Sequence, residues 1–170
     1  MAEETRSLIA YNYWRESTQR FDYFVTGLIG AGVAYIAQSY VPQKLGLNPS
    51  TLELLSLLIL LSSFLCAFKR IEAIAESFKW MSHRLNATET FAGITEAQSK
   101  FPLFQDVKSG QVYNAVTAEQ EKQKKRMAGE KAGMMIDKFV KQSVTMYQWR
   151  NRLLFGGFIL LLTSKVLAAY

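Results

Sequence analysis

Three stretches of the chain lack Asp, Glu, Lys and Arg, and they constrain the fold more than any other feature. They cover residues 23–40, 54–68 and 153–164 of the 170-residue sequence. A helix needs about 20 mainly apolar residues to cross the hydrocarbon of a bilayer. Extending these stretches, which brings in Asp22, Glu53 and Lys165, gives candidate spans at 21–40, 52–68 and 153–170. The sequence therefore predicts an all-α protein with three transmembrane helices.

The charged residues concentrate between the second and third candidate spans. Residues 69–152 hold 15 of the 20 Lys and Arg residues and 9 of the 14 Asp and Glu residues, which accounts for the whole net charge of +6. The mean hydropathy of +0.02 therefore averages two different populations. This composition excludes a simple soluble globule, a disordered chain and a disulfide scaffold.

Periodicity predicts a helical hairpin in this charged segment. Ile71, Ile74, Phe78, Met81 and Leu85 recur at alternating spacings of three and four, the pattern of a packed helix. A break follows from Phe101-Pro102 to Gly110, with Lys108-Ser109-Gly110 as a turn, and a second helix then continues into the third span. We expect 69–152 to form a long antiparallel hairpin, and 1–20 to be a polar N-terminal segment.

Turn and capping residues predict where the helices begin. Pro42, Gly46 and Pro49 interrupt the chain between the first two spans, so 21–68 is expected to be a tight transmembrane hairpin. Ser50 with Glu53 and Thr117 with Gln120 have the spacing of capping boxes. Ser50 is therefore the predicted N-cap of the helix that contains the second span, and Thr117 the predicted N-cap of the second hairpin helix.

The distribution of basic residues predicts the orientation. Positively charged residues near span ends favour the cytoplasmic side. Only Lys44 and Lys165 lie near the outer ends of the spans. The other ends have Arg6, Arg15, Arg20, Lys69, Arg70, Lys79, Arg84, Lys138, Lys141, Arg150 and Arg152 nearby. We therefore expect the N-terminus and 69–152 to be cytoplasmic, and the C-terminus to lie outside.

Lys122, Lys124, Lys125 and Arg126 form the densest run of charge. One interpretation is a contact site for an anionic ligand or a cytoplasmic protein. Lipid contact is less favoured, because Arg126 lies roughly 39 Å along a continuous helix from Arg152. The alternative is a solvated helix face that also carries acidic residues.

Glu53 and Lys165 are candidates for a polar pair inside the membrane. Both are expected roughly 20 Å from the cytoplasmic boundary of their spans, where a charge favours a partner. The alternative is that Lys165 extends outward to the interface while Glu53 only caps its helix.

Small residues mark candidate helix contacts, because they let two backbones approach closely. In the hairpin helix, two glycines one turn apart indicate either a close crossing and hinge or a weak solvated helix. The candidates are Gly27, Gly30, Ala31, Ala34, Gly156 and Gly157 in the spans, and Gly129 and Gly133 in the hairpin.

Motifs for catalysis and metal binding do not occur in the sequence. The single Cys66 and the single His83 cannot supply an ordinary zinc site, and no phosphate-loop, dinucleotide, zincin or nucleophile-elbow motif occurs. We expect a non-enzymatic protein with no cofactor or metal, for which nucleic acid is not the expected partner.

The order of features resembles one family over about residues 8–95. An aromatic and charged lead-in from Tyr13-Trp14-Arg15 to Arg20 precedes a two-span hairpin and a charged helix beginning Lys69-Arg70-Ile71-Glu72. This layout resembles the SLATT-type small bacterial membrane proteins, although a third span departs from their pattern. The resemblance implies an oligomeric, pore-forming effector of anti-phage defence in the bacterial inner membrane.

The sequence thus favours a self-associating membrane protein. Its cytoplasmic stalk would receive a signal or partner, and its spans would form a pore or perturb the bilayer. The alternatives are an accessory or assembly subunit of a larger membrane complex and, more weakly, a holin-like or transporter-like protein.

Overall fold

A computed structural model describes residues 2–44, 46, 48–101, 103–105, 110 and 112–169, without the side chains of 2–12, 14, 15 and 104. Three long helices dominate these residues, so the predicted all-α class is confirmed. They are α1 (Ala2–Ser39), α2 (Pro49–Lys100) and α3 (Ala115–Ala169). The expected N-terminal segment 1–20 is not a separate element, because helix α1 already begins at Ala2.

The helix starts differ from the predicted capping boxes, which were wrong. Asn48 caps α2, because its Oδ1 accepts a hydrogen bond from the Thr51 amide at 2.8 Å. Ser50 instead donates to the Val41 carbonyl at 2.9 Å. Asn114 caps α3, since its Oδ1 accepts from the Thr117 amide at 2.9 Å while its own amide donates to Thr117 Oγ1. Asparagine therefore satisfies the free amides at both starts.

A small antiparallel ribbon separates α2 from α3. Strand β1 (Phe104–Gln105) pairs with β2 (Val112–Tyr113), with Phe104 opposite Tyr113. Gly110 has φ of +70°, a left-handed conformation that glycine adopts without a steric penalty. The sequence predicted a break here but not the ribbon. Pro102, Lys108 and Ser109 of that predicted break lie outside the described residues.

The chain divides into two compact units. The first, which we call the three-helix unit, is Met1–Glu72 with Gln142–Tyr170, and the second, the two-helix unit, is Ala73–Lys141. Helices α2 and α3 contribute to both units.

Serine hydroxyls join α2 to α3 within the three-helix unit. Ser56 Oγ donates to the Gly157 carbonyl at 2.8 Å, and Ser63 Oγ donates to the Arg150 carbonyl at 2.9 Å. Ser164 Oγ closes the far end by donating to the Pro49 carbonyl at 2.8 Å. Rising residue numbers in α2 meet falling numbers in α3, so the two segments pack antiparallel.

Close approaches complete the packing of this unit. Gly30 of α1 lies so near the Phe64 ring that an added Cβ would be 3.1 Å from its Cε2 atom. Gly157 of α3 is tighter still, because an added Cβ would lie 2.7 Å from Leu60 Cδ2. Leu60 is itself almost fully buried.

Helices α2 and α3 are each long and apolar enough to cross a membrane. Among the described residues no other helix meets this criterion of length and composition. Helix α1 falls short because Asp22, Gln38 and its tyrosines and glycines lower its mean hydropathy. Two of the three predicted spans are therefore recovered by this measure.

The two-helix unit has a thin core. Ile94, Tyr113 and Ala118 form its buried cluster, where α2, β2 and α3 meet. Further along, Ala87 faces Gly129, and an added Cβ on that glycine would lie 4.0 Å from Ala87 Cβ. Small side chains here allow the two helices to approach closely without burying much apolar surface.

The adjacent glycines of α3 provide a test of this packing. We expect Gly157→Ala to destabilise the protein by about 1–3 kcal/mol, because the new methyl group overlaps the buried Leu60 side chain. Gly156→Ala is the matched control, since its added Cβ has no described neighbour within 4 Å and alanine favours helix. Thermal unfolding in detergent measures both variants, and equal stability would contradict the packing.

Candidate functional site

A buried ionic cluster joins all three helices of the three-helix unit. The carboxylate of Asp22, on α1, accepts one hydrogen bond from each of the other two helices. Arg70 Nε of α2 lies 2.9 Å from Asp22 Oδ2, and Arg150 Nη1 of α3 lies 2.9 Å from Asp22 Oδ1. We call Asp22, Arg70, Arg150 and Tyr147 the Asp22 cluster.

The side chains of this cluster are withdrawn from solvent. Side-chain exposure is 3% for Asp22, 2% for Arg150 and 13% for Arg70. The ring of Tyr147 lies beneath both guanidinium groups, 4.4 Å from that of Arg70 and 4.8 Å from that of Arg150. Cation–π contact of this kind stabilises a partly desolvated guanidinium. The three ionised groups leave one positive charge in excess.

Helix packing and hydrogen bonds fix Asp22 and Arg150 in the cluster. Asp22 lies on the buried stripe of α1, seven residues before Ile29 and fourteen before Ile36, both of which are buried. Arg150 is fixed twice more, because its carbonyl accepts from Ser63 and its Nε donates to Asn151 Oδ1 at 3.1 Å. The guanidinium that meets Asp22 is thus held from both its backbone and its side chain.

Sequence reasoning did not single out Asp22. It used Arg70 and Arg150 only as positive charges that set orientation, and treated Asp22 as part of an apolar span. A signal was present, because Asp22 shares a seven-residue spacing with Ile29 and Ile36. A carboxylate on the apolar stripe of a helix predicts a buried partner.

A second ionic contact joins α2 to α3 at the opposite end of the unit. Lys165 Nζ lies 2.6 Å from Glu53 Oε1, and Glu53 is largely buried while Lys165 is more than half exposed. The structure thus brings together the two residues that the sequence singled out as a candidate pair. Capping by Glu53, the alternative, is not observed, because Asn48 caps α2.

Three acidic side chains of α3 lie beside the four cations of the basic run, so one positive charge is left in excess. Lys122 contacts Glu119 at 2.6 Å, and Arg126 contacts Glu130 at 3.1 Å. Lys124 and Lys125 both lie within 4 Å of Glu121. Arg126 and Glu130 are both exposed, and such a pair one turn apart contributes about 0–1 kcal/mol, whereas the Lys122 side chain is only 16% exposed. Each of the four cations therefore already has an acidic neighbour, as the solvated-face interpretation expects.

The small residues that were predicted to mark helix contacts divide into two groups. Gly30, Gly129 and Gly157 lie against a neighbouring helix. Within the part of the chain that is described, an added Cβ at Gly27, Gly133 or Gly156 meets nothing within 4 Å. Ala31 and Ala34 are exposed on the same side of α1 as Gly27, away from its buried stripe. The stripe Gly27, Ala31 and Ala34 is thus not a contact within this chain.

The two-helix unit has an open groove of about 530 Å³ beside the Ala87–Gly129 approach. Its walls include Arg84, Phe91 and Met134. Further large apolar side chains stand exposed on the same unit, at Met81, Leu85 and Met127.

Groups suited to metal binding do not gather in the described residues. No group of three or more His, Cys, Asp or Glu side chains is placed there to hold a metal ion. His83 lies beside the Trp80 ring, with the ring centroids 5.6 Å apart. A hydrogen bond from Lys100, together with its charge, lowers the pKa of the Glu96 carboxyl, which is exposed at the end of α2.

No protein-family model matches the chain, and no curated protein or solved structure is detectably similar to it. The function must therefore be argued from the geometry.

We expect Asp22→Asn to lower the free energy of unfolding by about 3 kcal/mol or more. The substitution keeps the shape of the side chain but leaves two withdrawn guanidinium groups without a counter-charge. Glu16→Gln is the control, because it removes the same charge from α1 at an exposed pair with Arg20 and should cost about 0–1 kcal/mol. Thermal unfolding in detergent micelles, followed by circular dichroism, measures both. Similar melting temperatures for the two variants would contradict a structural role for the cluster.

Proposed function

We propose that the chain is a non-enzymatic, self-associating integral membrane protein. In this proposal the three-helix unit lies in the bilayer, and the two-helix unit receives a signal or partner in the cytoplasm. Copies of the three-helix unit together form a pore or perturb the membrane. The layout resemblance to SLATT-type effectors is consistent with this role and suggests a bacterial inner membrane and anti-phage defence.

The uncovered apolar surface of α2 and α3 carries the membrane assignment. Only 22% and 11% of their most apolar windows are buried, although a core helix of a soluble protein would be mostly covered. The exposed side chains face outward over several turns, and such a large apolar surface is costly in water. They include Leu55, Leu58, Leu61, Leu65, Phe68, Phe155, Phe158, Ile159 and Leu162.

Two ionic contacts, one at each end of the apolar region, support a specific position of the three-helix unit in the bilayer. The Asp22 cluster lies at one end of the apolar region and the Glu53–Lys165 pair at the other. Helix rise separates Arg70 from Glu53 by about 26 Å and Arg150 from Lys165 by about 22 Å. The hydrocarbon core of a bilayer is about 30 Å thick. The Glu53–Lys165 pair would then mark the outer interface rather than the bilayer centre.

Helix α1 would be the third span in this arrangement. Its residues from Asp22 onward pack on α2 over the same apolar region, with Gly30 against Phe64. Its low hydropathy is compatible with crossing because Asp22, its one charge in the region, is paired at the boundary. The positive-inside rule then places the cytoplasm on the side of the Asp22 cluster.

The thin core of the two-helix unit supports self-association. Its buried cluster consists of only three residues among those described, and small domains with little core commonly add a partner subunit. The groove beside Ala87 and Gly129 offers a surface on which a second copy could bury Phe91 and Met134. A different protein in this groove is the alternative, and it corresponds to an accessory subunit.

A pore would have to form between copies rather than within one chain. Ser56 and Ser63, the fully buried polar side chains of the α2 span, hydrogen-bond to carbonyls of α3. They are therefore not free to line a water-filled path inside a single three-helix unit.

Cysteine labelling tests the three-span topology. In a Cys66→Ala background, an impermeant maleimide applied to intact cells should label Lys44→Cys but not Ser17→Cys or Ser99→Cys. Cell lysis should expose the last two, because the proposal places them in the cytoplasm. The three positions lie on exposed side chains, so failure to react cannot be ascribed to burial in the chain.

Labelling of Ser17→Cys in intact cells would overturn the three-span arrangement. With only α2 and α3 crossing, helix α1 would lie wholly on the outer side together with Lys44. Labelling of Ser99→Cys without lysis would instead overturn the assigned orientation.

Mass measurement and liposome leakage test self-association and the pore. We expect purified protein in nanodiscs to have a mass of two or more copies, and the same protein to release a small dye from liposomes. A strictly monomeric protein without leakage would contradict the proposal. Stoichiometric co-purification of an unrelated subunit would favour the accessory role.

A further inference from the structure

We propose that the Asp22 cluster binds the phosphate of a phospholipid headgroup, through the outer edge of the Arg70 guanidinium. This inference rests on the proposed membrane position of the three-helix unit. It assigns a ligand to a site whose contacts within the chain hold the three helices together.

Charge balance is the first argument. Asp22 is shared by two guanidinium groups, so the cluster keeps one positive charge without a counter-charge. The other acidic side chains described in this unit are already engaged, Glu16 with Arg20, Glu53 with Lys165 and Glu72 with Lys69. A largely buried charge favours a partner, and no further described carboxylate of this unit supplies one.

The donors of Arg70 are the second argument. Its Nε donates to Asp22, but within the described residues neither terminal nitrogen donates to a protein acceptor. The Arg70 side chain is 13% exposed, and no fully buried side-chain nitrogen or oxygen in the described structure lacks a partner. Tyr147 holds the guanidinium plane from one face. Arg70 therefore presents a fixed edge with two unused donors, the geometry that binds a phosphate in bidentate fashion.

The surroundings of Arg70 are those of a headgroup region. Tyr23, Phe68 and Trp149 are exposed and lie one or two positions along the chain from Asp22, Arg70 and Arg150, and aromatic residues concentrate at membrane interfaces. Arg152 adds a cation at this level, 6.0 Å from the centroid of the Trp149 ring. The cytoplasmic leaflet attracts such cations by about 1 kcal/mol each when it is rich in anionic lipid. A phosphate diester at this depth is the most abundant partner for the excess charge.

Lipid retention in Arg70→Gln and Lys69→Gln tests the proposal. Both substitutions remove one positive charge from neighbouring residues of α2. Arg70→Gln leaves Asp22 paired with Arg150, so the fold should survive, as circular dichroism and gel filtration would verify. Lys69 is exposed and pairs with Glu72, so Lys69→Gln controls for general surface charge.

The proteins are reconstituted in nanodiscs of phosphatidylethanolamine and phosphatidylglycerol, then released into detergent for native mass spectrometry. We expect wild type and Lys69→Gln to retain a bound phospholipid. In Arg70→Gln we expect the affinity for this lipid to fall about tenfold, which corresponds to about 1.4 kcal/mol. Equal retention by wild type and Arg70→Gln would overturn the proposal.

A second arm distinguishes a lipid from free phosphate. Inorganic phosphate is added to delipidated protein, and the melting temperature is compared with that in chloride at the same ionic strength. If phosphate stabilises wild type but not Arg70→Gln, and no lipid is retained, lipid is overturned as the source. A protein that spans the membrane but retains no lipid and ignores phosphate overturns this inference alone. Failed topology labelling would instead remove the proposed function.

Discussion

The arrangement of the three-helix unit depends on the shared carboxylate of Asp22. Its two oxygens reach α2 and α3 separately, so a single residue of α1 fixes the rotation and the height of both other helices. Apolar packing alone would allow a helix to slide by a turn at little cost, because leucine-rich surfaces resemble one another. Moving α1 by one turn here would separate Asp22 from two withdrawn guanidinium groups. The cluster therefore specifies register more than it adds stability, as buried ionic groups do in some other helical proteins.

The remaining polar contacts of this unit also fix the position of one helix against another. Serine hydroxyls of α2 donate to backbone carbonyls of α3, and a hydroxyl of α3 closes the far end on Pro49. In an apolar environment the driving force between helices is close packing and hydrogen bonding rather than exclusion of water. Gly157 allows Leu60 to fill the space between helices, so the two segments come near enough for these short bonds.

The sequence was sufficient for the helical class and for two apolar spans, because long charge-free stretches leave few alternatives. It was insufficient for contacts that depend on residues far apart in the chain. Asp22 and Arg150 are separated by 128 positions, and periodicity cannot pair them. The helix starts were missed for a local reason. Serine and threonine were favoured as caps, but Asn48 and Asn114, two residues before Ser50 and three before Thr117, supply the acceptor, while Thr117 makes the reciprocal bond.

The densest charge along the sequence is accompanied by acidic residues in the structure. The run from Lys122 to Arg126 is the densest cluster of cations, yet each member has an acidic neighbour within a helical turn. Such pairs form wherever opposite charges recur at helical spacing, and water screens whatever charge is left. Arg70 and Arg150 each have only one close cationic neighbour in the sequence, Lys69 and Arg152, but three helices bring the two arginines to one carboxylate where solvent is excluded. An uncompensated charge has its largest effect where the dielectric is low. Arg70 and Arg150 of the Asp22 cluster are thus better placed to hold a phosphate than the run from Lys122 to Arg126.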